Sequence, residues 1–459
     1  MSSHDTATRA APRAKQIIAA VIGNALEWYD FIVFGFLAVV ISRLFFPAES
    51  EYSSLLMTTA TFGVGFFMRP VGGILLGIYA DRKGRKAALQ LIIAMMTVSI
   101  ALIAFAPPYA AIGLAAPLLI VLARLLQGFA TGGEFASATS FLIESAPPNK
   151  RGLYGSWQMF GQGLAVFCGA GVTALVTRNL SPEALDAWGW RIPFMIGLLI
   201  GPVGLWIRRH LEETEAFLEA HKAPAEKQSL VRMLRNHLRE VFAVMGVTVC
   251  GTVGFYVILV YMPTFASKQL GMVLSEAFTA QVIAVALMTV LMPVFGALSD
   301  RVGRKILVIV AAAGLLVASY PLLSWVHAAP SFERLITMQI VLCVLLAVFF
   351  GPISAVMAEQ FPAGVRSTGL ALAYNVAVMV FGGFAQFIVT WLIQNTGIVI
   401  APVFYVMFAA ALGLVSALFL TDRTHIAHLA SVDEDSPAPQ AGQGGRDAAI
   451  LPRTALNRA

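Results

Sequence analysis

Asn24, Glu27 and Asp30 recur at every third position inside an apolar run. On a helix that spacing keeps them within about 60° of a common face. Two carboxylates three residues apart repel when both are ionised, so one of them holds a proton more readily than an isolated acid would. That is the chemistry of a proton carrier; the competing reading is a pair neutralised by cations from other helices. Glu134 is a third carboxylate within an apolar stretch. Histidine does not compete for the role, because His4, His210, His221, His237, His327, His425 and His428 fall in polar segments or at the ends of apolar runs. Arg69 and Arg124 are the two arginines well inside apolar runs. A guanidinium grips a carboxylate through two parallel hydrogen bonds and stays charged when buried, so both are candidates for holding an anion. Arg69 also reads as closing the second helix, and Arg124 as the partner of an acid on the first.

Uncharged polar residues join this set. Gln127 and Thr131 follow Arg124 on one helical face, Gln158 and Gln162 share another, and Tyr256, Tyr261, Tyr374 and Asn375 lie in later runs. Any one of them alone reads as an interhelical contact; together they offer an anion hydroxyl and amide partners. No Lys or Arg lies in the middle of an apolar run in the C-terminal half, so the N-terminal half is expected to hold most of an anion's charge.

The elements that must position these groups follow from composition. Of 459 residues, 58% are hydrophobic and 12% charged, about half the roughly 25% charge of soluble domains. Mean hydropathy is +0.79. Lipid is therefore the solvent, which excludes secreted, fibrous and disordered classes. Twelve apolar runs of about 16 to 30 residues lie near 16–41, 55–80, 87–106, 114–143, 153–176, 192–207, 241–261, 277–298, 306–326, 336–357, 370–393 and 398–420. The fold class expected is all-α and integral to the membrane. The net charge of +6 reads as topology: with both termini cytoplasmic, 24 of the 31 Lys and Arg fall inside and 5 outside, a strong positive-inside bias. The first run is too long and too acidic for a cleaved signal. Cys168, Cys250 and Cys343 offer no disulfide framework or metal spacing.

The chain repeats itself. Gly77…Asp81-Arg82-x-Gly84-Arg85-Lys86 returns as Gly296…Asp300-Arg301-x-Gly303-Arg304-Lys305, each after the second helix of a six-helix set. Glu144…Arg151 returns as Glu359…Arg366. The chain therefore divides into a tail over 1–15, a six-helix half over 16–207, a charged linker over 208–240, a second half over 241–420, and a tail over 421–459 expected to be disordered. Parallel halves with a site between them near the midplane are how many secondary transporters are built. Asp81, Arg82, Gly84, Arg85, Asp300, Arg301, Gly303 and Arg304 are expected to form conformational latches rather than merely basic loops, as are Glu144, Arg151, Glu359 and Arg366.

These residues resemble a known family. Gly73…Gly77…Asp81-Arg82-x-Gly84-Arg85-Lys86 and Arg124-Leu-Leu-Gln127-Gly128…Gly132 resemble two motifs of the major facilitator superfamily. Glu27-Trp28-Tyr29-Asp30-Phe31, Arg69-Pro70-Val-Gly72-Gly73, Trp188-Gly189-Trp190-Arg191-Ile192-Pro193-Phe194 and Glu213-Thr214-x-Ala216-Phe217 are similar to its metabolite–proton symporters. Phe45-Phe46-Pro47-Ala48-Glu49-Ser50-Glu51 and Tyr154-Gly155-Ser156-Trp157-Gln158 look most like the citrate and tricarballylate symporters. The resemblance implies proton-driven import of a small organic anion, most readily a tricarboxylate, by alternating access in a bacterial-type inner membrane. It also implies that the arginine of the Arg124 motif takes part in proton coupling. A dicarboxylate, a shikimate-like acid or a zwitterionic osmolyte is the alternative cargo. Osmolyte-carrying relatives bear a C-terminal coiled coil, and residues 421–459 show no heptads. A sensor built on a transporter fold is the reading from another class. No Gly-x-Ser-x-Gly, His-Glu-x-x-His or phosphate loop suggests an enzyme. No cofactor, metal, nucleic acid or protein partner is implied; the expected partners are the anion, protons and the bilayer.

Overall fold

The computed structural model describes residues 3–83, 85–132, 134–199, 201–202, 235–362, 365–422 and 424; for residues 3–16, 19–20, 77, 80–82, 85–86, 88–89, 134 and 137 it describes the backbone alone. The linker expected over 208–240 and the tail over 421–459 lie mostly outside the described residues.

Among the described residues twelve helices follow the apolar runs, the sixth only over the start of its run. Helix α1 (Ser3–Phe36) continues past Leu37 as Ala38–Phe45, bent by 63°, and begins well before the apolar run does. It is followed by α2 (Glu51–Lys83), α3 (Arg85–Ala104), and α4, split into Ala115–Ala130 and Glu134–Glu144. Helices α5 (Arg151–Asn179) and α6 (Arg191–Gly197) complete the first half. The second half holds α7 (Leu238–Gln269), α8 (Leu274–Val302), α9 (Arg304–Ala328), α10 (Phe332–Glu359), α11 (Arg366–Thr396) and α12 (Pro402–Leu418). Seven of these, or eight with bent α1 as one span, are long and apolar enough to cross a membrane; three more are shorter apolar helices. The chain is a multi-pass membrane protein.

The halves meet most extensively where α5 packs on α8 and α10, and α2 on α11. Helix α7 is buried over 94% of its apolar window whereas α9 is buried over 39%. Helix α10 is buried over 78%, so α7 and α10 lie deepest, and α8 and α9 leave most of their apolar windows at the surface. Stretches of π-helix interrupt α7 at Phe255–Tyr261 and α11 at Val378–Gly382; such wide turns free backbone groups and gather at functional sites.

Within the first half, α2 and α4 touch backbone to backbone. A Cβ on Gly128 would fall on the Gly65 carbonyl, and one on Gly132 on the Arg69 carbonyl. Close approach through small residues is a main way membrane helices gain packing energy, and here it brings Arg69 and Arg124 together. The face bearing the α2–α3 and α8–α9 loops is called below the basic face. There Gly303 turns at φ 102°, a conformation that favours glycine, as the expected tight reversal requires. Its counterpart Gly84 lies outside the described residues.

Candidate functional site

Two buried arginines dominate the centre of the first half. Arg124 on α4 is fully buried, and its guanidinium lies over Phe31 (4.6 Å), Phe34 (4.7 Å) and Phe62 (5.0 Å). Arg69 on α2 lies over Phe66 (4.6 Å), Phe31 (4.9 Å) and Trp28 (5.3 Å). Phe31 is shared, so the two cations stand on one aromatic wall. Ring faces attract a cation by about 2 kcal/mol where water is excluded, which offsets part of the several kcal/mol that burying a charge costs. Arg124 donates from Nη1 to the Gln127 side chain, while its Nε and Nη2 have no hydrogen-bond partner.

Asp30 on α1 is 1% exposed, and neither carboxyl oxygen has a hydrogen-bond partner. It lies within Coulombic range of Arg124, yet no hydrogen bond joins them. A buried carboxyl without partners is held far more cheaply as the neutral acid than as the anion.

Between the halves lies a narrow, partly open cleft. Trp28 and Gln162 line it from the first half, Tyr256 and Tyr374 from the second. Tyr374 lies close to Arg69, Gln162 and Glu27, so Arg69 borders the cleft. Arg124 lies behind Phe31, Phe34 and Phe62. The site therefore has two parts, a cleft edged by Arg69, Tyr374 and Gln162, and the buried pair Asp30 and Arg124 packed behind the rings.

The other expected residues fall elsewhere. Asn24 and Gln158 bind one another across α1 and α5 (Nδ2 to the Gln158 carbonyl, 2.9 Å; Gln158 Nε2 to Asn24 Oδ1, 3.2 Å). Asn375 donates to the Gly132 carbonyl at 3.0 Å, beside Tyr374, whose ring stacks on Phe135 at 3.7 Å. Tyr261 accepts from Thr390 at 3.1 Å. The side chain of Glu134 lies outside the described residues. Sequence reasoning missed Gln386 of α11, buried with both amide atoms unpartnered, and the Gln281–Gln339 pair joining α8 and α10 at 2.8 Å. A polar residue inside an apolar run was the available signal in each case. It also missed the phenylalanines, because rings around a cation and rings facing lipid read alike.

At the basic face the repeat motifs interlock. Asp300 accepts from the backbone amides of Gly152 (2.8 Å) and Leu153 (2.9 Å) at the start of α5, where unpaired N–H groups favour an anion. Arg304 bridges Asp300 (2.7 Å) and Glu359 (2.5 Å). Arg151 reaches Glu359 at 3.6 Å, and Arg366 reaches Glu144 at 2.9 Å; each of these pairs crosses from one half to the other. Arg301 is exposed. The side chains of Asp81, Arg82 and Arg85 lie outside the described residues. At the opposite face Lys268 pairs with Glu51, and Tyr52 donates to the Thr390 carbonyl at 3.0 Å. Contacts between the halves thus tie both faces. Among the described residues no cluster of His, Cys, Asp or Glu is placed to hold a metal.

The Major Facilitator Superfamily description matches residues 20–377. The chain belongs to that superfamily. Among its relatives, the citrate-proton symporter of Klebsiella pneumoniae is 39% identical over 421 residues, covering 92% of this chain and 95% of that protein. The proline/betaine transporter of Salmonella typhimurium is 33% identical, covering 89% and 83%. The crystal structure of a D-xylose-proton symporter superposes with a TM-score of 0.72 at 20% identity, covering 88% of this chain and 96% of the other. That likeness speaks to the fold, and agrees with twelve helices in two halves.

Proposed function

We propose that this major facilitator chain is a proton-coupled symporter of citrate or a related tricarboxylate, working by alternating access in a bacterial inner membrane with both termini cytoplasmic. The observation that carries the coupling is the unpartnered Asp30 carboxyl beside Arg124. With Asp30 neutral, Arg124 keeps uncompensated charge and attracts an anion. With Asp30 ionised, the two attract and that pull is spent internally. Arg69, Tyr374 and Gln162 at the cleft are the groups that would meet the carboxylates. The crossed ion pairs at the basic face would hold that side shut and release it when the halves rock. The cargo rests on the 39% identity to a citrate-proton symporter; the 33% relationship to a proline/betaine transporter supports an osmolyte as the second reading.

The test is uptake of radiolabelled citrate into proteoliposomes with and without an inward proton gradient, with tricarballylate, 2-oxoglutarate, shikimate and betaine as competitors. Gradient-driven accumulation is expected. Asp30→Asn should abolish it while leaving citrate exchange at equal concentrations intact. Accumulation of betaine but not citrate would transfer the cargo to the second reading, and no movement of any solute would favour a sensor.

A further inference from the structure

Asp30 does not face the cleft. Its Oδ1 is turned to the backbone of Gly197 on α6, so closely that a Cβ there would overlap the carboxyl oxygen, with Ile100 of α3 beside them. Helix α6 is pinned in this position. Tyr29, the neighbour of Asp30, donates to the Pro193 carbonyl at 3.0 Å, one turn before Gly197. Trp190 is buried against Phe45 at 5.3 Å, and Arg191 reaches the Ala106 carbonyl at 3.2 Å.

Resting on the proton-site reading above, we infer that Gly197 is a positioning residue for the proton-carrying carboxyl: the missing side chain makes the room in which Asp30 stands clear of Arg124. The charged and titratable groups around Asp30 are few. Arg124 faces it from α4, with Arg69 of α2 behind; Glu27 and Tyr29 lie on its own helix, and Tyr256 of α7 is near Arg124. Gly197, and Ile100 beside it on α3, carry no charge. A methyl group at 197 therefore displaces the carboxyl from α6, and Arg124 is the cation that would receive it, where the anion is favoured. Proton uptake would then need a more acidic solution.

The experiment is an infrared titration of the full-length protein in lipid, following the carboxylic C=O band that Asp30→Asn removes; it needs no substrate. Gly197→Ala is expected to move the midpoint of that band to lower pH by about one unit or more, the effect of a cation brought within 4–6 Å. Citrate exchange should persist while gradient-driven accumulation at neutral pH falls. Gly201→Ala, one turn on and facing Thr97, should leave the midpoint in place. An unchanged midpoint in a folded Gly197→Ala protein overturns the inference. If Gly197→Ala does not fold, the Asp30→Ala/Gly197→Ala double variant decides: recovered folding shows that the clash is with this carboxyl, and continued misfolding overturns the inference. Absence of any Asp30-dependent band in the wild type would overturn the proton-site reading itself.

Discussion

A guanidinium lying over three ring faces is held differently from one paired with a carboxylate. The rings supply attraction without consuming its N–H groups, so a buried Arg69 or Arg124 keeps donors for another partner. Lysine cannot reproduce this, because an ammonium is a compact, strongly hydrated charge that lacks the planar fork. Arg69→Lys is therefore expected to raise the KM for citrate roughly tenfold, about 1.4 kcal/mol, with a smaller change in maximal rate. Initial-rate uptake over a range of citrate concentrations measures both, and an unchanged KM would remove Arg69 from the anion site. At this scale the sequence was informative where type alone sufficed. Asp30, Arg69 and Arg124 announce themselves as charges in apolar runs. Gly197 and Phe34 do not, because their roles depend on which helix lies opposite, and that is set by tertiary packing.

At the scale of elements, the apolar runs located the helices among the described residues, the sixth only over its start, since twenty or so residues without charge leave few options in lipid. The breaks were not legible. Helix α1 bends at Leu37 and α7 widens at Phe255–Tyr261, both in apolar sequence whose hydropathy is the same bent or straight. The repeated loops were legible as charge, but their crossed pairing between halves was not. The basic-face contacts differ in burial, and so should their consequences. Asp300 and Arg304 are almost fully buried, and Asp300 caps α5, whereas Glu144 is 52% exposed in its pair with Arg366. Asp300→Asn is expected to destabilise the closed protein by about 3–5 kcal/mol, and Glu144→Gln by at most about 1 kcal/mol. Thermal unfolding in detergent should show a large drop in Tm for the first and little change for the second; equal effects would refute the ranking. Just outside the membrane, the segment after α12 caps α9. Burial opposes ionisation of Asp422, but Thr424 donates to it from hydroxyl and backbone, the Lys305 amide adds a third bond, and Arg304 is nearby; together these hold it below the usual carboxylate range. A folded-state value below the unfolded one stabilises the cap above about pH 3.9, the ordinary value for Asp, and that contribution is lost as pH falls through the lowered value. Hydrogen exchange at Lys305 and Thr424 should therefore quicken below about pH 3.9 and be insensitive to pH, after correction for intrinsic rates, between 5 and 7; in Asp422→Asn the acid-dependent step should vanish.

For the whole molecule, what matters is how unevenly the two faces are tied. The basic face is held by a buried network that spans both halves, in which Asp300, Arg304 and Glu359 are between 2% and 6% exposed. Among the described residues the opposite face is held by an ion pair, Glu51–Lys268, whose carboxylate is 60% exposed, and the Tyr52–Thr390 hydrogen bond. Exposed pairs contribute about 0–1 kcal/mol and are screened by salt, whereas parting buried charges costs several times more. Rocking about the central cleft should therefore start at the Glu51–Lys268 face. Spin labels placed across each face and read by pulsed electron resonance should give a broad distance distribution there, broader still at high ionic strength, and a narrow one across the Glu144–Arg366 face. A protein that opens this way at rest presents its cleft to the side where the positive-inside rule places the outside, as an importer needs in order to load first. Broadening at the basic face instead would mean that the buried network is strained rather than stabilising, and would reverse the order of loading.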